Sequence, residues 1–363
     1  MLTPPYRSRL LVRAMLGVAL TVTQLLVVGA SLAQGPTSRD YRFEFLTGED
    51  QDSEVRDINN AGTAVGTVAA PGQYWGQEVL WPAQGAPVPL QGVGAKATAL
   101  NDRGKPVGYW QPGGQDFAVF WSQGLLQQLP LDGNFSAYAL GVNDAGTVVG
   151  SLVKPNYDTV PAKWANEQLL ALPVPDGATG RALDISGRGQ IVGEVRLPLP
   201  AYVNHAYLWT RQTAVDLHPE GYTSSTAWAV NAIGHAAGWA VKEGSLEHAG
   251  VWKGRHFTDL NGTARRSLAY DINARGQVVG DASLTPGSGN TAVLWDLRLN
   301  SGPVDLNVYL PPEAAQAGWR LLWAMAINDA GVIVGDAALP GTARKRGFRL
   351  IPMRPVSGEG DPQ

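Results

Sequence analysis

The segment 141–150 reads GVNDAGTVVG. It contains an apolar residue, an Asn, two turn-forming residues, a Gly, and a short apolar run that ends at a second Gly. The same frame recurs as DINNAGTAVG (57–66), ALNDRGKPVG (99–108), DISGRGQIVG (184–193), AVNAIGHAAG (229–238), DINARGQVVG (271–280) and AINDAGVIVG (326–335). Seven copies of one frame predict seven copies of one supersecondary unit.

Each frame predicts a tight hairpin between two strands. In the third copy, the side chain of Asn143 can bond nearby backbone and Gly146 tolerates a positive φ. The run Val148-Val149 is continuous and β-branched, which favours a strand covered on both faces. A small residue precedes most frames and suits a crowded inner strand: Ala97, Ala139, Ala182, Ala227, Ala269 and Ala324.

A second pair of strands follows each hairpin. The third strand ends at a recurring tryptophan, and a short fourth strand ends at a leucine. The six recurring tryptophans are Trp81, Trp121, Trp164, Trp209, Trp252 and Trp295. The repeat period is 42 to 45 residues except for one interval of 55, which is typical of a four-stranded blade. We therefore predict an all-β, seven-bladed β-propeller, with the six tryptophans in its core.

The two ends of the repeat region predict how the ring closes. Segment 41–46 (YRFEFL) alternates like a single strand but has no hairpin partner. The seventh copy stops after 347–352 (GFRLIP) and lacks a fourth strand. We expect the N-terminal strand to pair with the last blade and so leave no open edge.

The N-terminus has the layout of a secretory signal. Arg7, Arg9 and Arg13 precede an apolar run over 14–30, and small residues up to Ala33 form a cleavage site. This predicts a signal peptide over 1–33, a linker over 34–40, the propeller over 41–353, and a flexible tail over 354–363. An uncleaved membrane anchor is the alternative interpretation of the apolar run. Either way, the chain is predicted to act outside the cytoplasm, as a secreted, extracellular or periplasmic protein.

Composition excludes several functional classes. Removing the three signal arginines leaves 25 basic against 31 acidic residues, a charge of −6, which argues against nucleic acid and anionic membranes as partners. The chain has no cysteine, so disulfides and thiolate sites are excluded. The five histidines lack zinc-site spacing, and no nucleophile elbow is present. We expect no metal, no cofactor and a monomer.

The strand order places the short Asn turns on one face and the longer, variable loops on the other. These loops span 67–77, 152–159, 197–204, 283–290 and 307–318. Such variation on a repeated scaffold favours binding. The candidate ligand-binding residues in or beside these loops are Trp75, Trp110, Trp239, Trp319, Tyr157 and Tyr202. Exposed aromatics there would stack on sugars or form a protein hot spot, whereas the alternative is that they pack within their loops.

Three carboxylates occupy equivalent positions on inner strands: Asp57, Asp184 and Asp271. Equivalent positions converge on the axis of a ring, so these axial carboxylates could hold a cation or perform acid-base chemistry. The alternative is that they bond neighbouring backbone or arginine.

Taken together, these frames resemble an extracellular repeat family called HAF, after its His-Ala-Phe tripeptide. The resemblance covers most of 53–352 and includes HAYLW (205–209) and HAGVW (248–252). No copy here reads His-Ala-Phe, and five copies lack the histidine. The resemblance implies a secreted propeller-like protein and carries no established activity or catalytic residues.

Two functions from different classes remain open from the sequence. The first is a secreted, non-catalytic binding protein that uses the long-loop face to engage an extracellular protein or glycan of unknown identity. The second is a hydrolase or lyase acting on glycans, with the axial carboxylates at its centre.

Overall fold

The computed structural model describes residues 41–73, 76–166, 168–285, 289–299 and 302–353. The predicted signal peptide, linker and C-terminal tail lie outside the described residues, as does Trp75.

The described chain forms seven four-stranded antiparallel sheets arranged as a β-propeller, which confirms the predicted fold class. The N-terminal strand is β1 (Tyr41–Phe45). Blades 1 to 3 contain β2 (Asp52–Ile58), β3 (Ala64–Ala69), β4 (Gln77–Trp81), β5 (Val88–Pro89), β6 (Ala95–Leu100), β7 (Pro106–Trp110), β8 (Phe117–Ser122), β9 (Leu125–Gln128), β10 (Ser136–Val142), β11 (Val148–Val153), β12 (Thr159–Ala165) and β13 (Gln168–Ala171). Blades 4 to 7 contain β14 (Thr179–Ile185), β15 (Ile191–Arg196), β16 (Asn204–Trp209), β17 (Ala214–Asp216), β18 (Ser224–Val230), β19 (His235–Val241), β20 (Glu247–Lys253), β21 (His256–Asp259), β22 (Ser267–Ile272), β23 (Gln277–Ala282), β24 (Thr291–Asp296), β25 (Val304–Asp305), β26 (Arg320–Ile327), β27 (Ile333–Ala338) and β28 (Lys345–Pro352).

The ring closes through the N-terminal strand. Blade 7 has the order β1-β28-β27-β26, so β1 supplies the outer strand that the seventh repeat lacks. The antiparallel register pairs Tyr41 with Pro352 and Phe45 with Phe348. The predicted pairing is therefore confirmed, and the two ends of the repeat region share one blade.

A β-bulge explains the second Gly of each frame. In blade 3 the register between β10 and β11 shifts between Ala139 and Gly141, and the equivalent shift occurs in every blade. A Cβ at Gly150 would collide with the carbonyl oxygen of Tyr138. The closing Gly therefore permits the close approach of two backbones at the bulge.

The recurring tryptophans are buried, as predicted, and they also join neighbouring blades. The indole Nε1 of Trp164 donates to the carbonyl of Pro130 at 2.8 Å, and that of Trp209 to the carbonyl of Pro173 at 2.7 Å. Trp121, Trp252 and Trp295 make the equivalent bond to the preceding blade. Each of these five tryptophans thus fills its blade and satisfies a carbonyl of its neighbour. Trp81 is buried as well, but its Nε1 has no hydrogen-bond partner among the described residues.

The long connection before blade 7 is not a plain loop, contrary to the expectation for 307–318. It contains a 3-10 helix, Leu306–Tyr309, and a short helix α1, Pro312–Gln316. Proline at the first helical position is favourable because its missing N–H would have no intrahelical partner there. Leu310 and Ala314 are buried, so this connection forms part of the blade 7 core.

Arg349 joins three segments where the ring closes. Its guanidinium lies within 3.1 Å of Glu44 Oε1 on β1 and donates to the carbonyl oxygens of Trp81 and Pro82 in blade 1. The residue is buried on β28. It thus connects the two strands that close blade 7, β1 and β28, to blade 1.

We predict that Arg349→Ala lowers the free energy of unfolding by roughly 1.5–3 kcal/mol, because charge-assisted bonds to buried carbonyls are lost. Urea denaturation measures this change. Arg42→Ala is the matched control, since exposed Arg42 pairs with the same Glu44 at 3.2 Å and such surface pairs contribute about 0–1 kcal/mol. Equal losses in the two variants would contradict a role for Arg349 in closing the ring.

Candidate functional site

The antiparallel order of each blade gives the propeller two different faces. We call the face that carries the hairpins at Asn59 and its equivalents the turn face. The opposite face carries the connections between the second and third strands of each blade, and we call it the loop face.

The turn face is fastened by a ring of asparagine side chains. Asn59 Nδ2 donates to the carbonyl of Asn101 at 3.0 Å, and Asn101 Nδ2 donates to the carbonyl of Asn143 at 3.0 Å. The same bond links Asn143 to Ser186, Asn231 to Asn273, Asn273 to Asn328, and Asn328 to Asn59. Each Oδ1 also accepts the amide N–H four residues on, as in Thr147 to Asn143. The asparagine therefore shapes its own turn, as predicted, and also binds the next blade, which the sequence pattern did not predict.

Ser186 interrupts this ring between blades 4 and 5. Its hydroxyl still accepts the amide of Gln190 at 3.2 Å, but a serine side chain cannot reach the next blade with an amide group. At this junction Asp184 Oδ2 accepts the amide of Val230, on blade 5, at 2.7 Å. This carboxylate thus keeps a polar bond between blades 4 and 5 where the asparagine contact is missing.

All three axial carboxylates accept hydrogen bonds from backbone amides in the same way. One oxygen accepts the amide of the following residue, and the other accepts an amide of the next blade. The cross-blade donors are Leu100 for Asp57, Val230 for Asp184 and Ile327 for Asp271, at 2.7 to 2.8 Å. The alternative interpretation, in which the carboxylates bond neighbouring backbone, thus describes their contacts in the structure.

The surroundings of the axial carboxylates favour protonation. Burial in the ring is the largest cause and raises the pKa of Asp271 to about 7, with the nearby charge of Asp184 acting in the same direction. Burial and the charge of Asp271 raise the pKa of Asp57, and burial raises that of Asp184. Their bonds to backbone amides oppose this shift because they favour the charged form.

These carboxylates are among the residues that line a polar opening of about 350 Å³ on the turn face. Asp102, Asp144 and Asp329 lie on its rim. The rim carboxylates also bond across blades: Asp102 accepts the amide of Asn60 at 2.7 Å, and Asp144 accepts that of Asp102 at 2.9 Å. Within the part of the chain that the structure describes, no group of three acidic or histidine side chains has a metal-binding arrangement.

Three other acidic residues follow the closing Gly of their frames and are buried. Glu194 binds Arg181, and Asp281 binds Tyr270 and Arg266. Asp336 Oδ1 accepts the amide of Val55 on blade 1 at 3.0 Å. Burial raises the pKa of Asp336 to about 7, with the charge of Glu54 acting in the same direction.

The loop face carries a groove of about 670 Å³ between blades 3 and 4. Its lining includes Tyr157, Asp158, Arg181, Glu194, Arg196 and Tyr202. Two of these residues, Tyr157 and Tyr202, are among the predicted ligand-binding aromatics.

Both tyrosines are exposed yet held in place. Tyr157 is 71% exposed and packs edge-on against Phe135, with ring centroids 5.3 Å apart. Tyr202 is 60% exposed, and its ring centroid lies 5.2 Å from the guanidinium carbon of Arg196. The two residues have φ of 66° and 45°, in the left-handed region that costs a non-Gly residue about 1–2 kcal/mol. The fold thus keeps two aromatic rings exposed to solvent in a backbone conformation that costs free energy. Strained backbone of this kind is often found at functional sites.

The predicted tryptophans have different surroundings. Trp319 is only 9% exposed and packs against Phe45 with ring centroids 5.4 Å apart, so it belongs to the core of blade 7 and is not an exposed binding residue. Trp110 and Trp239 are half-buried: Trp110 donates to the carbonyl of Val93 at 3.0 Å, and Trp239 packs edge-on against Trp228.

The histidines at equivalent repeat positions connect the third and fourth strands of their blades. His205 Nδ1 lies 2.8 Å from Asp216 Oδ2, and His248 Nδ1 lies 2.9 Å from Asp259 Oδ2. His205 also stacks on His218, with ring centroids 3.9 Å apart. Burial lowers the pKa of His218. These contacts explain in structural terms why this position of the repeat accommodates histidine.

No protein-family model and no curated protein sequence matches the chain. Solved structures with the same fold include the β-propeller domain of the Trilobed protease from Pyrococcus furiosus, described as having an open velcro topology (12% identity, TM-score 0.55, 85% of this chain and 98% of that one). YCF48 bound to D1 peptide matches at 12% identity and TM-score 0.51, over 88% and 97% of the two chains. A prolyl endopeptidase matches at 12% identity and TM-score 0.54, and the match spans only 51% of that chain. These likenesses establish a shared fold. No helix among the described residues is long and apolar enough to cross a membrane.

We predict that Asp184→Asn lowers the free energy of unfolding by about 1–3 kcal/mol at pH 8, because its new amide group faces a backbone N–H that the carboxylate had accepted. Chemical denaturation measures this change. The matched control is Asp144→Asn on the rim, where one remaining oxygen can still accept the single cross-blade bond. Full stability of Asp184→Asn would show that the carboxylate does not fasten blade 4 to blade 5.

The raised pKa of Asp336 predicts a pH dependence with a defined sign. Between the unfolded value near 4 and the folded value of about 7, the folded state retains a proton that the unfolded state releases, so this residue lowers stability as pH rises. Asp336→Asn cannot ionise and keeps an oxygen for the Val55 amide. The free energy of unfolding of Asp336→Asn minus that of wild type should therefore increase by roughly 2 kcal/mol between pH 5 and pH 8.

Urea denaturation at several pH values tests this prediction, with exposed Asp176→Asn as the control. An Asp336→Asn curve parallel to that of wild type over the whole range would contradict it.

Proposed function

We propose that this protein is a non-catalytic binding module that acts outside the cytoplasm and engages its partner through the loop face. The partner is an extracellular protein or a glycan. Export rests on the signal-like segment 1–33.

One observation carries the proposal: the groove on the loop face presents Tyr157 and Tyr202 to solvent from two different blades. An exposed aromatic ring that is already held in position loses little conformational entropy on binding. The groove volume lies within the range of about 300–1,000 Å³ that is typical of ligand sites.

The turn face is less suited to binding because its polar groups bond one another. The asparagine amides and the three rim carboxylates form cross-blade hydrogen bonds. Each axial carboxylate uses one oxygen within its own strand and one on the next blade. Both oxygens of each carboxylate thus hold backbone amides in place, and this structural role favours binding over a glycan hydrolase or lyase.

A propeller of this size can hold a partner. YCF48, which matches 88% of this chain, is described as bound to D1 peptide. The identity of 12% transfers the fold and not the ligand. The match supports a binding role in general terms.

The absence of cysteine permits a direct test of which face binds. A bulky polymer would be attached through maleimide to Lys154→Cys on the loop face or to Arg103→Cys on the turn face, both of which are exposed. Binding to glycan and peptide arrays is then measured. We expect the polymer to block binding only at position 154, because it covers the groove.

Unlabelled cysteine variants are the controls for the substitutions themselves. Blockage at position 103 alone would contradict binding through the loop face. Reducing ends or unsaturated products released from any polysaccharide on the array by the wild-type protein would contradict a non-catalytic role.

A further inference from the structure

The rims and the floor of the groove between blades 3 and 4 have different chemistry. Tyr157 and Tyr202 present phenol rings on the rims. The floor is charged and ordered: Arg181 Nε donates to Glu194 Oε1 at 2.9 Å, and Glu194 Oε2 accepts from Asn204 and Thr226 at 3.0 Å. A ligand that fits would have flat apolar faces and many small hydrogen-bonding groups.

The charges of this lining cancel. Two guanidinium groups, on Arg181 and Arg196, accompany two carboxylates, on Asp158 and Glu194. A strongly anionic ligand would meet the carboxylates, and a cationic one would meet the guanidiniums. Balanced charge therefore favours a ligand without net charge.

The positions of the rings favour a sugar over a peptide. A peptide anchor gains most of its affinity by filling a closed apolar pocket. Here the rings are exposed on the rims, where the C–H face of a pyranose can pack flat on a phenol ring while its hydroxyls reach the polar floor.

We propose that this groove binds a neutral oligosaccharide, with sugar rings packed on Tyr157 and Tyr202 and hydroxyls bonded to Arg181, Arg196 and Asp158. This inference rests on the proposed binding function and specifies its ligand class and its site. Glu194 acts as a positioning residue because it fixes the guanidinium of Arg181.

The test compares wild type with Tyr157→Ala/Tyr202→Ala and with Tyr157→Phe/Tyr202→Phe. The probes are neutral polysaccharides (mixed-linkage β-glucan, xylan, galactomannan, dextran, soluble starch), anionic alginate and polygalacturonate, and a random peptide library. Affinity electrophoresis identifies bound polysaccharides, and calorimetry with the matching hexasaccharide gives Kd. Tyr222→Ala removes a tyrosine outside the groove as the control.

We expect at least one neutral polysaccharide to bind. The double alanine variant should raise its Kd by about tenfold or more, because two stacking contacts are lost. The double phenylalanine variant and Tyr222→Ala should bind within about twofold of wild type, since both keep the two rings. Thermal unfolding of each variant verifies that the fold is intact.

The contrary outcomes separate this inference from the proposed function. Glycan binding that survives in the double alanine variant overturns the groove as the site. Binding only to anionic polysaccharides or to peptides overturns the neutral glycan. Either result leaves a loop-face binding module in place. If the wild-type protein binds none of the probes, the result contradicts both the neutral glycan and the binding function.

Discussion

The hydrogen bond from an asparagine amide to the carbonyl of the next blade is the interaction on which this propeller depends most. It is repeated at six of the seven junctions, including the one between Asn328 and Asn59 that closes the ring. Because the same side chain also accepts the amide four residues on, one residue fixes both the turn and the spacing between blades. Removing a buried amide whose two groups are both satisfied costs stability, because its backbone partners lose their bonds.

The junctions that depart from this pattern show how the constraint is met by other means. Serine at 186 removes the amide, and Asp184 supplies a cross-blade bond at that junction. The junction between blades 7 and 1 lacks the indole bond, since Trp81 Nε1 has no hydrogen-bond partner among the described residues. At this junction Arg349 donates to the carbonyls of Trp81 and Pro82. The requirement is thus a polar contact between neighbouring blades, and more than one residue type can provide it.

The sequence predicted the features that depend on local pattern. The hairpins, the four strands of each blade and the β1 closure follow from periodicity and from counting strands, since every strand needs a partner. The sequence could not show that asparagine and tryptophan bond across blades, because those partners lie 30 or more residues away along the chain. The burial of Trp319 was missed for the same reason: Phe45, its neighbour, lies at the opposite end of the propeller sequence. Spacing alone did not distinguish this ring from the exposed Tyr157 and Tyr202.

The cross-blade hydrogen bonds of the turn face explain why the two faces differ. On the turn face, a change in an asparagine or an axial aspartate breaks a bond between blades, so this surface is restricted by stability. The loops opposite connect strands whose register is already fixed by the hairpins and bulges, and they can vary in length and side chain at little cost to the ring. The backbone strain at Tyr157 and Tyr202 is accommodated on that freer face. A rigid ring fastened from one side therefore leaves the other side available for recognition.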